Sequence, residues 1–142
     1  MGNPERSIDL ARTGKARFTA SNERGGTIEV GDGVDNDAFT PVELLLVALG
    51  ACSGLDLDAI LGKRAEFESF TINSRGDKVR DDQGNHLINL QVTFDARFPE
   101  GEAGDSARDF LPTAMAKSHD WLCTVSRTVQ AGAPVEFAAV QS

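Results

Sequence analysis

The stretch from Thr40 to Leu61 dictates most of what this chain can become. Thr40-Pro-Val-Glu43 reads as a helix start: Thr40 and Glu43 are spaced to cap each other's free N–H groups. Proline stands at the first helical position, where its missing N–H costs nothing. From Leu44 onward the segment is apolar around nearly its whole circumference until Leu61, and Gly62-Lys63 supplies the stop. A helix without a polar face must be buried on all sides, so the pattern predicts a central helix with the domain built around it. The apolar run ending at Leu49 is broken by Gly50 and then by Asp56 and Asp58, too short to cross a bilayer.

The flanking segments read mainly as strands. Lys15–Ser21 alternates, Asn22-Glu-Arg-Gly-Gly26 carries turn chemistry, and Thr27–Val30 reads as the returning strand. Asp32–Asp37 is a loop rich in Gly, Asp and Asn. Beyond the helix, Glu66–Asn73 and His86–Phe98 are rich in β-branched and aromatic residues and read as two long strands, with Arg75–Gly84 as a polar hairpin between them. Pro99–Gly104 reads as a loop, and Asp105-Ser106 as the cap of a helix from Ala107 to about Ser118. A short helix from Cys123 to Val129 and a strand from Pro134 to Val140 complete the reading. Strands separated by single helices indicate an α+β domain. No repeat or composition shift divides residues 1–142, so one domain is expected.

A net charge of −8 argues against a general phosphate-backbone binder, which needs a basic face. Met1–Ser7 has no apolar core of the kind a secretory signal requires, so a cytoplasmic protein is expected. There a stable structural disulfide is disfavoured, and paired thiols gain weight as redox groups. The chain has two cysteines and two histidines, at spacings that match no zinc pattern, and nothing calls for a cofactor.

Cys52 and Cys123 are therefore the candidate reactive groups. Cys52 could simply fill a helix interface, as free cysteines often do. Gly50, Ala51, Ser53 and Gly54 surround it with little side-chain bulk, however, leaving room for a close neighbour or a small substrate. It lies about three turns past the helix start, beyond the reach of the helix dipole, so a thiolate there needs a cation from elsewhere. Cys123 has the opposite setting: a helix beginning at Cys123 would aim its free N–H groups at the sulfur. Equally, Trp121, Leu122 and Cys123 could dock a helix end against a sheet. His119, four residues before Cys123, suggests a Cys–His hydrolase, but no oxyanion-type glycine motif accompanies it. Glu43 is accounted for by the capping box.

Pro41-Val-Glu-Leu-Leu-Leu-Val-Ala-Leu-Gly-Ala-Cys52, followed far down the chain by Trp121-Leu-Cys-Thr-Val-Ser126, resembles the OsmC/Ohr family of thiol-dependent peroxide reductases, over roughly Lys15 to Val140. The resemblance implies two antiparallel β-sheets packed around long central helices, an intertwined homodimer, and sites at the subunit interface. It further implies that Cys52 attacks the O–O bond of a hydroperoxide and becomes a sulfenic acid. Cys123 then resolves it as a Cys52–Cys123 disulfide, which an external dithiol reduces. Family members hold the thiolate with an arginine of the first hairpin. Arg24 matches best, with Arg17 as the alternative and Glu43 or Glu23 as possible support for it.

One position departs from the pattern. The well-studied peroxidases carry a glutamate directly after the helix-start proline, where this chain has Val42, with Glu43 one place on, as in an OsmC-like subgroup. Without that carboxylate the arginine loses its usual ion-pair partner. The resemblance thus supports two-cysteine chemistry more strongly than efficient turnover. The apolar surroundings of Cys52 (Leu46, Leu49, Leu55) favour an organic hydroperoxide. The competing expectation is a non-catalytic member that binds a small apolar ligand or senses redox state. Neither expectation involves nucleic acid or a membrane.

Overall fold

A computed structural model describes residues 2–140; residues 1, 141 and 142, the ends of the expected domain, lie outside the described residues. Contacts group the chain into two compact units, Met1–Leu45 and Leu46–Ser142. Two antiparallel sheets and long helices make the fold α+β, as expected.

In the first unit β1 (Asp9–Gly14), β2 (Arg17–Ser21) and β3 (Thr27–Gly31) form an antiparallel sheet in that order, with Phe18 opposite Val30 and Ala20 opposite Ile28. The Asn22 side chain builds the expected turn by accepting from the Arg24 and Gly26 amides. Two details differ from the expectation. The second strand starts at Arg17, because Lys15-Ala16 make a tight turn with Ala16 at φ 56°. β1 was not foreseen: it is exposed almost throughout, so backbone pairing rather than a buried face defines it, and it carries no alternation to read.

Helix α1 (Pro41–Leu61) starts and stops where the sequence requires. Thr40 Oγ1 accepts from the Glu43 amide at 3.2 Å and Glu43 Oε1 accepts from the Thr40 amide at 2.9 Å, closing the capping box. The Gly62 amide bonds the Asp58 carbonyl at the other end. Burial on all sides is not what the chain itself provides. Leu49, Gly50, Ser53, Gly54, Leu57 and Leu61 are buried, whereas Val42, Leu45 and Val47 are exposed and Leu55 is 71% exposed. The helix is also long and apolar enough to span a bilayer, contrary to the estimate from its first run. Its packed face and the Asp56 hydrogen bond described below mark it as a core helix.

In the second unit β4 (Ser69–Asp81) and β5 (Gly84–Arg97) pair from Ser69↔Arg97 to Asp81↔Gly84. The ladder continues, with one irregularity between Arg75 and Asp77, through the segment expected as a polar hairpin, leaving only Asp82-Gln83 as the turn. The outer half stays paired without a hydrophobic stripe because backbone bonds continue and polar side chains pair across it. Arg75 Nε donates to Gln91 Oε1 and Asn89 Nδ2 to Asp77 Oδ2, both at 3.0 Å.

Helix α2 (Glu102–Lys117) begins earlier than expected, at an N-cap supplied by Gly101 (φ 119°) rather than Asp105 or Ser106. Gly104 permits this early start, since any Cβ there would overlap the Pro99 carbonyl oxygen. A single π turn (Ser118–Leu122) leads to α3 (Thr124–Ala131), for which Cys123 is the N-cap. The segment 134–140 is not a strand; it has no pairing partner among the described residues, and Phe137 is 95% exposed. Leu57 and Leu61 of α1 pack with Phe98, Ala107 and Ala114 to form the core, which is flanked by Phe67 and Phe70 stacked at 4.9 Å.

Candidate two-cysteine site

Three elements of the second unit converge on the sulfurs. Cys52 is half-buried on α1, held close to β4 by two glycines: a Cβ on Gly50 would lie 3.3 Å from Ile72 Cγ2, and one on Gly54 2.5 Å from Ile72 Cδ1. Cys123 is completely buried where the π turn meets α3. The two free thiols are neighbours: Cys123 is one of the groups that perturb Cys52. Trp121 does not dock as the alternative reading of this segment required; it is 84% exposed while Cys123 alone turns inward.

The first turn of α3 serves both sulfurs. The Ser126 amide donates to Cys123 Sγ at 3.4 Å, and the Val125 amide of the same turn favours charge on Cys52. Such unpaired N–H groups favour negative charge on sulfur. For Cys123 this is the geometry expected of a helix beginning there. For Cys52 it was missed, because nothing in the local sequence of α1 reveals that a distant helix start points at it. Burial pushes the Cys52 thiol up, and the Val125 amide acts in the opposite direction. The neighbouring Cys123 and the Asp56 carboxylate both push it further up, and among the described residues of Leu46–Ser142 no cation offsets them.

Three other expected site residues, Arg17, Arg24 and Glu43, belong to Met1–Leu45. Arg17 pairs with Glu29 at 3.8 Å across β2 and β3. Arg24 sits in the hairpin turn and makes no ion pair among the described residues. Glu43 is engaged with Thr40. His119 pairs with the adjacent Asp120 at 2.7 Å, on the surface, rather than with Cys123.

A cavity of about 490 Å³, in the size range of small-molecule sites, is lined by Leu49 and Ser53 of α1 and by Ser126 of α3, and neither cysteine is part of its lining. Leu49, Val92, Phe94 and Met115 supply its apolar wall, while Ser126 and Gln130 are among the polar groups at one side.

Residues 34–138 match the family model described as OsmC-like protein, a stretch that contains both cysteines. The chain belongs to the OsmC-like family. An uncharacterized protein of Mycobacterium tuberculosis is 31% identical to this OsmC-like chain over 132 residues, covering 92% of it and 93% of the relative. A hypothetical protein from Aquifex aeolicus has a similar structure, with a TM-score of 0.70 at 26% identity, covering 91% of this chain and 89% of that one. The fold is shared as well with an organic hydroperoxide resistance protein OsmC from Legionella pneumophila, with a TM-score of 0.59 at 14% identity and coverage of 90% and 92%.

Proposed function

We propose that this OsmC-like protein reduces organic hydroperoxides in the cytoplasm with its two cysteines. The observation that carries the reading is that Cys52 neighbours Cys123, the N-cap of α3. The Cys52 thiolate attacks the O–O bond; the alkoxide leaves with a proton as the alcohol, and Cys52 becomes a sulfenic acid. The Cys123 sulfur displaces water from it, forming a disulfide, and an external dithiol returns both thiols while being oxidised to its own disulfide. The apolar wall of the cavity lined by Leu49 and Ser53, which flank Cys52 on α1, suits the organic part of the substrate. Arg24 is the proposed cation for the thiolate and Arg17 the alternative; Glu43, held in its capping box, could at most support them.

The active form in this proposal is a homodimer. The exposed apolar side of α1 and the exposed Val135, Phe137 and Val140 are surfaces that a second copy would cover. Residues 1–142 act as a single domain within it.

A second reading is favoured by one observation: the thiol of Cys52 is pushed up, with no cation of its own unit to ionise it among the described residues. On that reading the protein binds a small apolar ligand in the cavity and its thiols react slowly, as a redox sensor or not at all.

Cumene hydroperoxide in slight molar excess over the reduced protein separates the two. Rapid, stoichiometric Cys52–Cys123 disulfide, seen by mass spectrometry and abolished by Cys52→Ser, supports the peroxidase. Thiol loss no faster than that of free cysteine refutes it.

A further inference from the structure

Cys123 is placed by a turn that helices seldom use. Its amide donates to the Ser118 carbonyl at 2.9 Å, closing the π turn that separates α2 from α3. Such turns are rare and recur at functional sites. Ser118 is itself buried, and its amide bonds the Ala114 and Met115 carbonyls. A serine in this setting can satisfy its hydroxyl on the carbonyl four residues back. That of Ser118 instead crosses to α1 and donates to Oδ2 of the half-buried Asp56 at 2.9 Å. Asp56 stands four residues after Cys52, one turn along the same side of the helix. One serine therefore grips the helix of Cys52 with its side chain and Cys123 with its backbone. Farther along, Gln130 Nε2 donates to Ser126 Oγ at 2.7 Å and to the His119 carbonyl at 3.4 Å, so that α3 and the turn are tied together.

We propose that Ser118 is a positioning residue for the Cys123 sulfur: its hydrogen bond to Asp56 latches the π turn onto α1 and holds Cys123 in place to form the disulfide with Cys52. Two thiols on separate elements react as if highly concentrated only when the fold fixes them in advance. The firmness with which the turn is seated on α1 therefore sets the effective concentration of one thiol at the other. This inference rests on the Cys52–Cys123 disulfide of the proposed reaction and concerns only the step that makes it. In that step the Cys123 thiol attacks the Cys52 sulfenic sulfur; the S–S bond forms as the S–O bond breaks, and water leaves with the thiol proton.

Glutathione buffers test the latch without peroxide. Oxidised glutathione converts the two thiols to the disulfide and leaves as two molecules of reduced glutathione. The ratio of oxidised to reduced protein at equilibrium, read by alkylation and mass spectrometry, then gives the effective concentration. Ser118→Ala and Asp56→Ala should each lower it about three- to tenfold, the loss of one ordinary hydrogen bond, in protein that circular dichroism shows to be folded. The double variant should lose no more than either single one, because both changes remove the same bond. A role confined to stability would leave the ratio in folded protein unmoved, and an unmoved or raised ratio overturns the proposal, as do additive losses. Should one alanine variant not fold, the other decides alone. A wild type that forms the disulfide no better than the variants sinks the latch and leaves the peroxidase standing. Lowered ratios in a protein inert to cumene hydroperoxide support the latch and sink the peroxidase.

Discussion

Gly54 offers a worked test of how α1 is seated on β4, and hence of what fixes Cys52. A mid-helix glycine replaced by alanine ordinarily gains about 1 kcal/mol, because alanine loses less backbone freedom on folding. Here the new methyl would lie 2.5 Å from Ile72 Cδ1, well inside contact distance. Overpacking of that kind costs about 1–3 kcal/mol, so Gly54→Ala should be destabilising by about 0–2 kcal/mol instead of stabilising. Ile72→Val removes the offending Cδ1 at a cost of its own of about 0.5–1.5 kcal/mol. In the Ile72→Val background the helical gain should reappear, so the two changes should couple favourably by about 1–2 kcal/mol. Urea unfolding of the wild type, both single variants and the double variant at one protein concentration measures that term, since any dimerisation would otherwise enter the result. If Gly54→Ala stabilises by the full helical gain in both backgrounds, the close approach of α1 to β4 is wrong, and with it the placement of Cys52.

Two further outcomes follow from the same geometry. Gly104→Ala sets a methyl against the Pro99 carbonyl, which is backbone and cannot rotate away, so thermal unfolding should show a loss of about 2–4 kcal/mol, against the gain expected from helix propensity. The folded protein holds the Cys52 proton more tightly than the unfolded chain does. Stability contributed by Cys52 is therefore present below the unfolded thiol pKa and falls as pH rises through the raised folded value. Cys52→Ser should flatten that alkaline decline; an unchanged slope in denaturant titrations across the alkaline range would refute it.

The elements with the strongest local chemistry could be read directly. The capping box at Thr40 and Glu43, the Asn22 turn and the glycine stop at Gly62 each act through atoms within a few residues, so α1 and the first hairpin turn stand where the local pattern places them. Elements defined by partners were less legible. β1 and the outer half of the β4–β5 ladder are largely exposed, and backbone pairing holds them without a continuous hydrophobic pattern. Segment 134–140 has the pattern of a strand and no partner in the described chain. At the site, the two cysteines were evident as the only thiols, and the support for charge on Cys123 followed from the helix starting beside it. That Val125 would also serve Cys52, and that Ser118 would tie Asp56 to the Cys123 backbone, depends on segments some sixty residues apart meeting in space, as the separation of 62 between Asp56 and Ser118 records. Local sequence determined the helix, its ends and the identity of the candidate nucleophiles, because those effects are short-ranged. Which charges and amides surround a sulfur is a matter of distances across the fold, and the tertiary structure alone decided it.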